Sequence, residues 1–128
     1  MSWYIESSAI MKLIIQEEES EPLIKFLNQP ITSSLISRLE VLRNVYRLDA
    51  NLSDFALSVL GRIVFLPISA STIRIAESVA RLTPLKSLDA LHVASALSIA
   101  QKIEGIISYD RQLSLNAEQL GLKVFAPA

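Results

Sequence analysis

The feature that most constrains this chain is a regular alternation of short β-branched or aromatic runs with segments of helical periodicity. Trp3-Tyr4-Ile5, Pro30-Ile31-Thr32, Val64-Phe65-Leu66-Pro67-Ile68, Gly105-Ile106-Ile107-Ser108 and Lys123-Val124-Phe125 read as five strands, each too short and too β-rich to be a helix. Between them the spacing predicts helices over about Ser8–Glu18, Glu21–Asn28 and Ser53–Ile63. A further helix starts at Ser34 and carries Leu35, Leu39, Leu42, Val45 and Tyr46 as its apolar face. Ser69 or Ser71 is placed to cap one that carries Ile73, Ala76, Val79 and Leu82. The segment Ser87–Gln101 is apolar on nearly every side and is expected to be the most buried helix; the last runs from Asp110 to Leu120, with Gly121 as its stop. Strands separated by helices call for right-handed crossovers. The fold expected is therefore an α/β three-layer sandwich around a central, mostly parallel five-stranded sheet, in a single domain over residues 1–128.

Composition narrows the chemistry. Of 128 residues, 51% are apolar, enough for one core and not for two. Twelve Lys and Arg nearly balance thirteen Asp and Glu, so no strong overall field draws the chain to nucleic acid or anionic membranes; such contact needs a local patch or a bound metal. The absence of cysteine removes disulfides, thiolate metal sites and cysteine nucleophiles, and makes a reducing, cytoplasmic setting the simplest expectation. The apolar start MSWYIESSAIMKLII contains Glu6 and Lys12, lacks a basic leading segment and is too short to span a bilayer, so it reads as part of the folded domain. Only three glycines occur (Gly61, Gly105, Gly121), with no phosphate-cradling loop and no Gly-x-Ser-x-Gly elbow. A phosphoacceptor receiver domain would share the architecture, but no adjacent acidic pair precedes the first helix.

In open parallel sheets ligands gather beyond the carboxyl ends of the strands. Glu6 directly follows the first strand and Asp110 the fourth, so a parallel sheet brings both carboxylates to one edge. Asp89 lies in the first turn of the most apolar helix, a position that suits a structural carboxylate and a functional one equally; burial would favour function, because a buried charge requires a cation or donors. Glu40 belongs to a polar stripe with Ser37, Asn44 and Arg47 and has Arg43 as an i+3 partner, so on its own it reads as a solvated surface residue. His92, the only histidine, follows Asp89 by one turn and reads as a satisfied core residue in preference to a ligand. The run Glu17-Glu18-Glu19 with Glu21 reads as a structural charge cluster at a helix end.

Taken together, the blocks Tyr4-Ile5-Glu6-Ser7-Ser8-Ala9 with Lys12, Ser37-Arg38-Leu39-Glu40, Leu88-Asp89-Ala90-Leu91-His92-Val93-Ala94 and Ser108-Tyr109-Asp110-Arg111 span nearly the whole chain. In this order and spacing they resemble the PIN domain family, and more narrowly its VapC-type toxins. The resemblance implies a metal-dependent endoribonuclease cleaving RNA phosphodiester bonds. It also implies the toxin of a type II toxin–antitoxin pair, inhibited by a cognate antitoxin and commonly a homodimer. By family position Glu6 and Asp89 would be the principal ligands of Mg2+ or Mn2+, with Glu40 and Asp110 completing the acidic site directly or through water. Ser8 and Ser108 would hydrogen-bond to the ligands.

The physical logic agrees, since crowded carboxylates repel one another until a hard divalent cation neutralises them. Such a cation can lower the pKa of a bound water and stabilise charge on phosphate oxygens. Lys12, Arg43, Lys86 and Arg111 are candidate phosphate contacts, each equally readable as an ordinary surface charge. One departure stands out: Glu6 occupies a position where the family usually has Asp. The extra methylene is expected to let the carboxylate reach further with less constraint. A second reading follows, a degenerate, weakly active or inactive PIN domain that serves as a protein-binding module.

Overall fold

The computed structural model describes all 128 residues. In chain order the elements are β1 (Ser2–Ile5), α1 (Ser7–Ile14), α2 (Ser20–Phe26), β2 (Ile31–Ser34), α3 (Leu35–Leu48), α4 (Ser53–Leu60), β3 (Val64–Leu66), α5 (Ala70–Leu82), α6 (Ser87–Ser98), β4 (Ile103–Ile107), α7 (Arg111–Gln119) and β5 (Val124–Phe125). Every strand pair is parallel, in the order β3-β2-β1-β4-β5. The five strands and the three layers are those expected from the sequence, with the sheet wholly parallel.

Alternation along the central strands sorts the core onto the two faces. Trp3 and Ile5 of β1 and Ile107 of β4 pack with Ile10 and Ile14 of α1, Leu23 of α2, Val41 and Val45 of α3, and Val59 and Leu60 of α4. Tyr4 and Ile106 face the other way, into Ala76 and Val79 of α5, Val93 and Ala94 of α6, and Leu113 and Ala117 of α7. Trp3 is wedged between Phe26 and Phe125, ring centroids 5.1 and 4.9 Å away, which ties the edge strand β5 to the central one. Gly105 is required where β4 meets β5: a Cβ there would lie 2.6 Å from the Lys123 carbonyl oxygen. Gly121, at φ 91°, ends α7 as anticipated. No helix is long and apolar enough to cross a membrane.

Three expectations are corrected. The first helix stops at Ile14, short of Glu18, because the chain folds back on it. Lys12 Nζ bonds Glu17 and Glu19, both at 3.1 Å, while the Ser20 hydroxyl accepts from the Glu17 N–H at 2.9 Å. The acidic run is structural, as read. The second strand extends through Ser33 and Ser34, whose hydroxyls find partners that replace water: Ser33 donates to the Ile5 carbonyl at 2.6 Å, and Ser34 caps α3. The third correction is the largest, because α3 is rotated about its axis from the expected orientation. Val45 of the expected apolar face is buried and Leu42 packs partly buried on the core, but Leu35, Leu39 and Tyr46 are exposed, Leu39 by 64%, and Val41 and Ser37 are buried in their place. Ser37 and Glu40 of the polar stripe face the protein, because hydroxyls and a histidine there supply partners for them, while Arg47 stays exposed.

Candidate functional site

Glu6 leaves β1 as the N-cap of α1, its Oε2 accepting the Ser8 N–H at 2.8 Å. Its Oε1 accepts from the Ser8 hydroxyl at 2.7 Å and from the Ser108 hydroxyl at 2.6 Å. These bonds bridge the ends of the adjacent parallel strands β1 and β4. Ser108 Oγ also accepts the Asp110 N–H at 3.1 Å, and Ser8 Oγ the Tyr109 N–H at 2.9 Å. Asp110 in turn caps α7, Oδ1 taking the Leu113 N–H at 3.0 Å. Parallel pairing thus brings Glu6 and Asp110 to one edge. The expectation that the extra methylene of Glu6 leaves it less constrained is corrected: three donors fix a carboxylate that is only 6% exposed.

Glu40 reaches the same edge from the inward face of α3. Its Oε1 accepts the Ser7 hydroxyl at 2.6 Å and meets His92 Nε2 at 2.6 Å, so the residue is half-buried and makes no ion pair with Arg43. Burial pushes its carboxyl upward, but the bonds from His92 and Ser7 and the proximity of the ring outweigh this and hold it below the usual range. The surface reading of Glu40 is therefore overturned. His92 is buried and satisfied, as read, yet it joins Glu40 to the core. Neither its role nor that of Ser7 was assigned from sequence. The available signals were the i+3 offset of His92 from Asp89 on one helix face and the adjacency of Ser7 to Glu6.

Asp89 sits in the first turn of α6 as expected. Its carboxyl is raised, first by burial and then by the charge of Asp110; His92 opposes this, and Glu6 and Glu40 add lesser upward pushes, with no contribution from a hydrogen bond. All four acids therefore share one electrostatic neighbourhood. The donor set is all hard oxygen, and Glu40 Oε2, Asp110 Oδ2 and the Asp89 carboxylate carry no protein donor. No three His, Asp or Glu side chains are gathered closely enough to hold one ion among them. Mg2+ does not need that, since it keeps several waters and binds through one or two carboxylates. The residues fit a hydrated divalent cation whose charge would relieve the repulsion at Asp89.

Of the four candidate phosphate contacts, Lys12 spends its charge on Glu17 and Glu19 and lies over the Tyr109 ring, 4.9 Å from its centroid. Arg43, Lys86 and Arg111 are exposed and form no ion pair. A groove of about 730 Å³ beside the site is lined by Ser108, Tyr109, Arg111 and Ser114 together with Lys12. Arg43 and Lys86 lie outside it.

A model of the PIN domain matches residues 3–119. The chain belongs to the PIN domain family. It is 30% identical over 129 residues to Ribonuclease VapC46 of Mycobacterium tuberculosis, covering 98% of this chain and 97% of that protein. It is 34% identical over 131 residues to Ribonuclease VapC35 of the same species, covering 97% and 96%. Among solved structures, a toxin–antitoxin complex from Klebsiella pneumoniae aligns over 98% of this chain and 97% of that one, with a TM-score of 0.77 at 16% identity. The M. tuberculosis toxin VapC20 aligns over 98% and 99%, with a TM-score of 0.76 at 13% identity. At those identities the structural likeness speaks to the fold.

Proposed function

We propose that this chain is a metal-dependent endoribonuclease and the toxin of a toxin–antitoxin pair. The observation that carries the reading is the convergence of Glu6, Glu40, Asp89 and Asp110, from four separate elements, on one strand edge where Asp89 is held as a poorly compensated charge. Asp89 and Glu6 are the ligands proposed for Mg2+ or Mn2+, with Glu40 and Asp110 completing the shell directly or through water. The ion, when bound, would supply Lewis acidity toward a phosphate oxygen and a water of lowered pKa. Ser8 and Ser108 fix the orientation of Glu6, Ser108 also fixes the N-terminal turn of α7, and Arg111 is the cation best placed along the groove for an RNA backbone.

The relatives named as ribonucleases span the full domain and support the activity. A narrower groove of about 350 Å³, lined by Leu13, Ile24, Leu27, Ile31, Phe55 and Val59, supports capture of an apolar antitoxin segment. The outward stripe Leu35, Leu39 and Tyr46 supports a homodimer. The test is RNA cleavage by antitoxin-free protein with Mn2+ or Mg2+: chelation should abolish it, and metal-independent cleavage would refute the reading. The three bonds that bind back Glu6 favour the degenerate-module alternative to one extent, because they use lone pairs a metal would take. A marked rise in cleavage on Glu6→Asp would support that alternative; wild-type activity equal to or above the variant's would remove it.

A further inference from the structure

The polar network behind Glu40 contains a side chain that the chemistry above does not use. His92 is 1% exposed and sits on α6 between Val93 and Leu91, yet both its ring nitrogens have polar neighbours. Nε2 lies 2.6 Å from Glu40 Oε1 and 3.4 Å from the Ser7 hydroxyl oxygen. Nδ1 lies 3.1 Å from the Tyr4 hydroxyl and 3.4 Å from that of Ser37, which is itself 2.6 Å from Ser33. An ionised carboxylate only accepts, so Nε2 carries the hydrogen in the contact with Glu40 whatever the charge of the ring. Groups from β1, α1 and α3 thus clamp one imidazole from α6 and aim one N–H at one carboxylate oxygen. Volume alone would be filled better by an apolar side chain, with no buried polar groups to satisfy.

We infer that His92 is a positioning residue: its Nε2–H, together with the Ser7 hydroxyl, holds Glu40 Oε1 and so leaves Oε2 for a divalent cation or its hydration shell. This rests on the proposal that Glu40 belongs to a metal site. A half-buried glutamate side chain still has several rotamers; two short bonds to the same oxygen select one of them. The inference explains why an acid that reads as a surface residue is drawn to the strand edge. It also assigns the hydroxyl of Tyr4, two residues before Glu6, the task of fixing the ring.

The experiment uses the full chain and Mn2+ alone as the probe, with free and bound metal followed by electron paramagnetic resonance and folding checked by thermal melts. His92→Phe should weaken Mn2+ binding by about 10- to 100-fold, the range for loss of a partner that orients a ligand. His92→Gln, which returns an amide N–H near the place of Nε2, should recover most of the loss. Asp89→Asn separates this inference from the reading beneath it. Wild-type Mn2+ affinity in Asp89→Asn refutes the proposed site, whereas loss there with wild-type affinity in His92→Phe refutes only the positioning role. Equal weakening in His92→Phe and His92→Gln also overturns it, since that is the signature of a disturbed core. Should His92→Phe fail to fold, the unmodified protein decides. His92 is the only histidine, so its imidazole resonances are unambiguous. Mg2+ is expected to shift them, and Glu40→Gln to abolish the shift; resonances that stay in place while Mg2+ binds overturn the inference.

Discussion

The helices α3 and α6 meet beside the site, and each carries one of its acids, but they hold them in opposite ways. On α3, Glu40 is given two short donors, Ser7 and His92, and its carboxyl is held low. On α6, Asp89 receives no donor, sits near three other carboxylates and is held high. A fold that only needed a buried acid would compensate both. The difference teaches that stability and charge have been separated across the site: α3 supplies an anchored carboxylate, α6 an uncompensated one that a cation would complete.

The largest effect is expected at Asp89. Asp89→Asn should lower metal-dependent RNA cleavage by more than about 100-fold, beyond the range for a residue that merely supports a ligand. In metal-free protein the same change should raise the melting temperature at neutral pH. The sign follows from linkage: a carboxyl raised on folding binds its proton more tightly in the native state, so its ionised form costs stability above that pKa, and the cost fades as pH falls through it. Calorimetry in chelator checks this, and an unchanged or lower melting temperature would end the electrostatic account.

The rotation of α3 sets the next largest effect. Val41→Ala should cost ~2 kcal/mol in urea unfolding, against a change within about 0.5 kcal/mol for Leu39→Ala; the reverse order would mean the helix is placed wrongly. Glu40→Gln sharpens the contrast with Asp89. A carboxyl lowered on folding adds stability that is present above the ordinary glutamate range and is lost as pH falls through its native value. Glu40→Gln should therefore destabilise metal-free protein at pH 7 and converge on wild type in acid, as thermal melts at stepped pH would show. The smallest effect belongs to Lys12, whose own side chain is largely covered but whose partners Glu17 and Glu19 are open to solvent: Lys12→Gln should change stability by under about 1 kcal/mol, less in high salt.

The sheet and the places of Glu6, Asp89 and Asp110 were legible because they depend on local signals. A β-branched run ended by a polar residue marks a strand end, and parallel strands align those ends. Glu40 and His92 were not legible as a pair. Fifty-two residues separate them, and nothing in either segment states that the polar side of α3 turns inward. Leu35, Leu39, Leu42, Val45 and Tyr46 form one apolar stripe, and periodicity alone awards the core to all of it. It cannot see that the buried face is centred on Val41, with Val45 to one side and small Ser37 to the other, so that Leu35, Leu39 and Tyr46 are left outside.

Spacing along the chain is enough to dictate the alternation of elements, the parallel sheet it requires and the carboxylates at two strand ends. Which face of α3 is buried follows from folding alone, and with it the anchoring of Glu40 at the candidate site and the binding back of Glu6 by Ser8 and Ser108. The physical reason is that a buried polar group is tolerated only where a partner meets it. Those partners come from β1, α1, α6 and the turn after β4, brought together by folding.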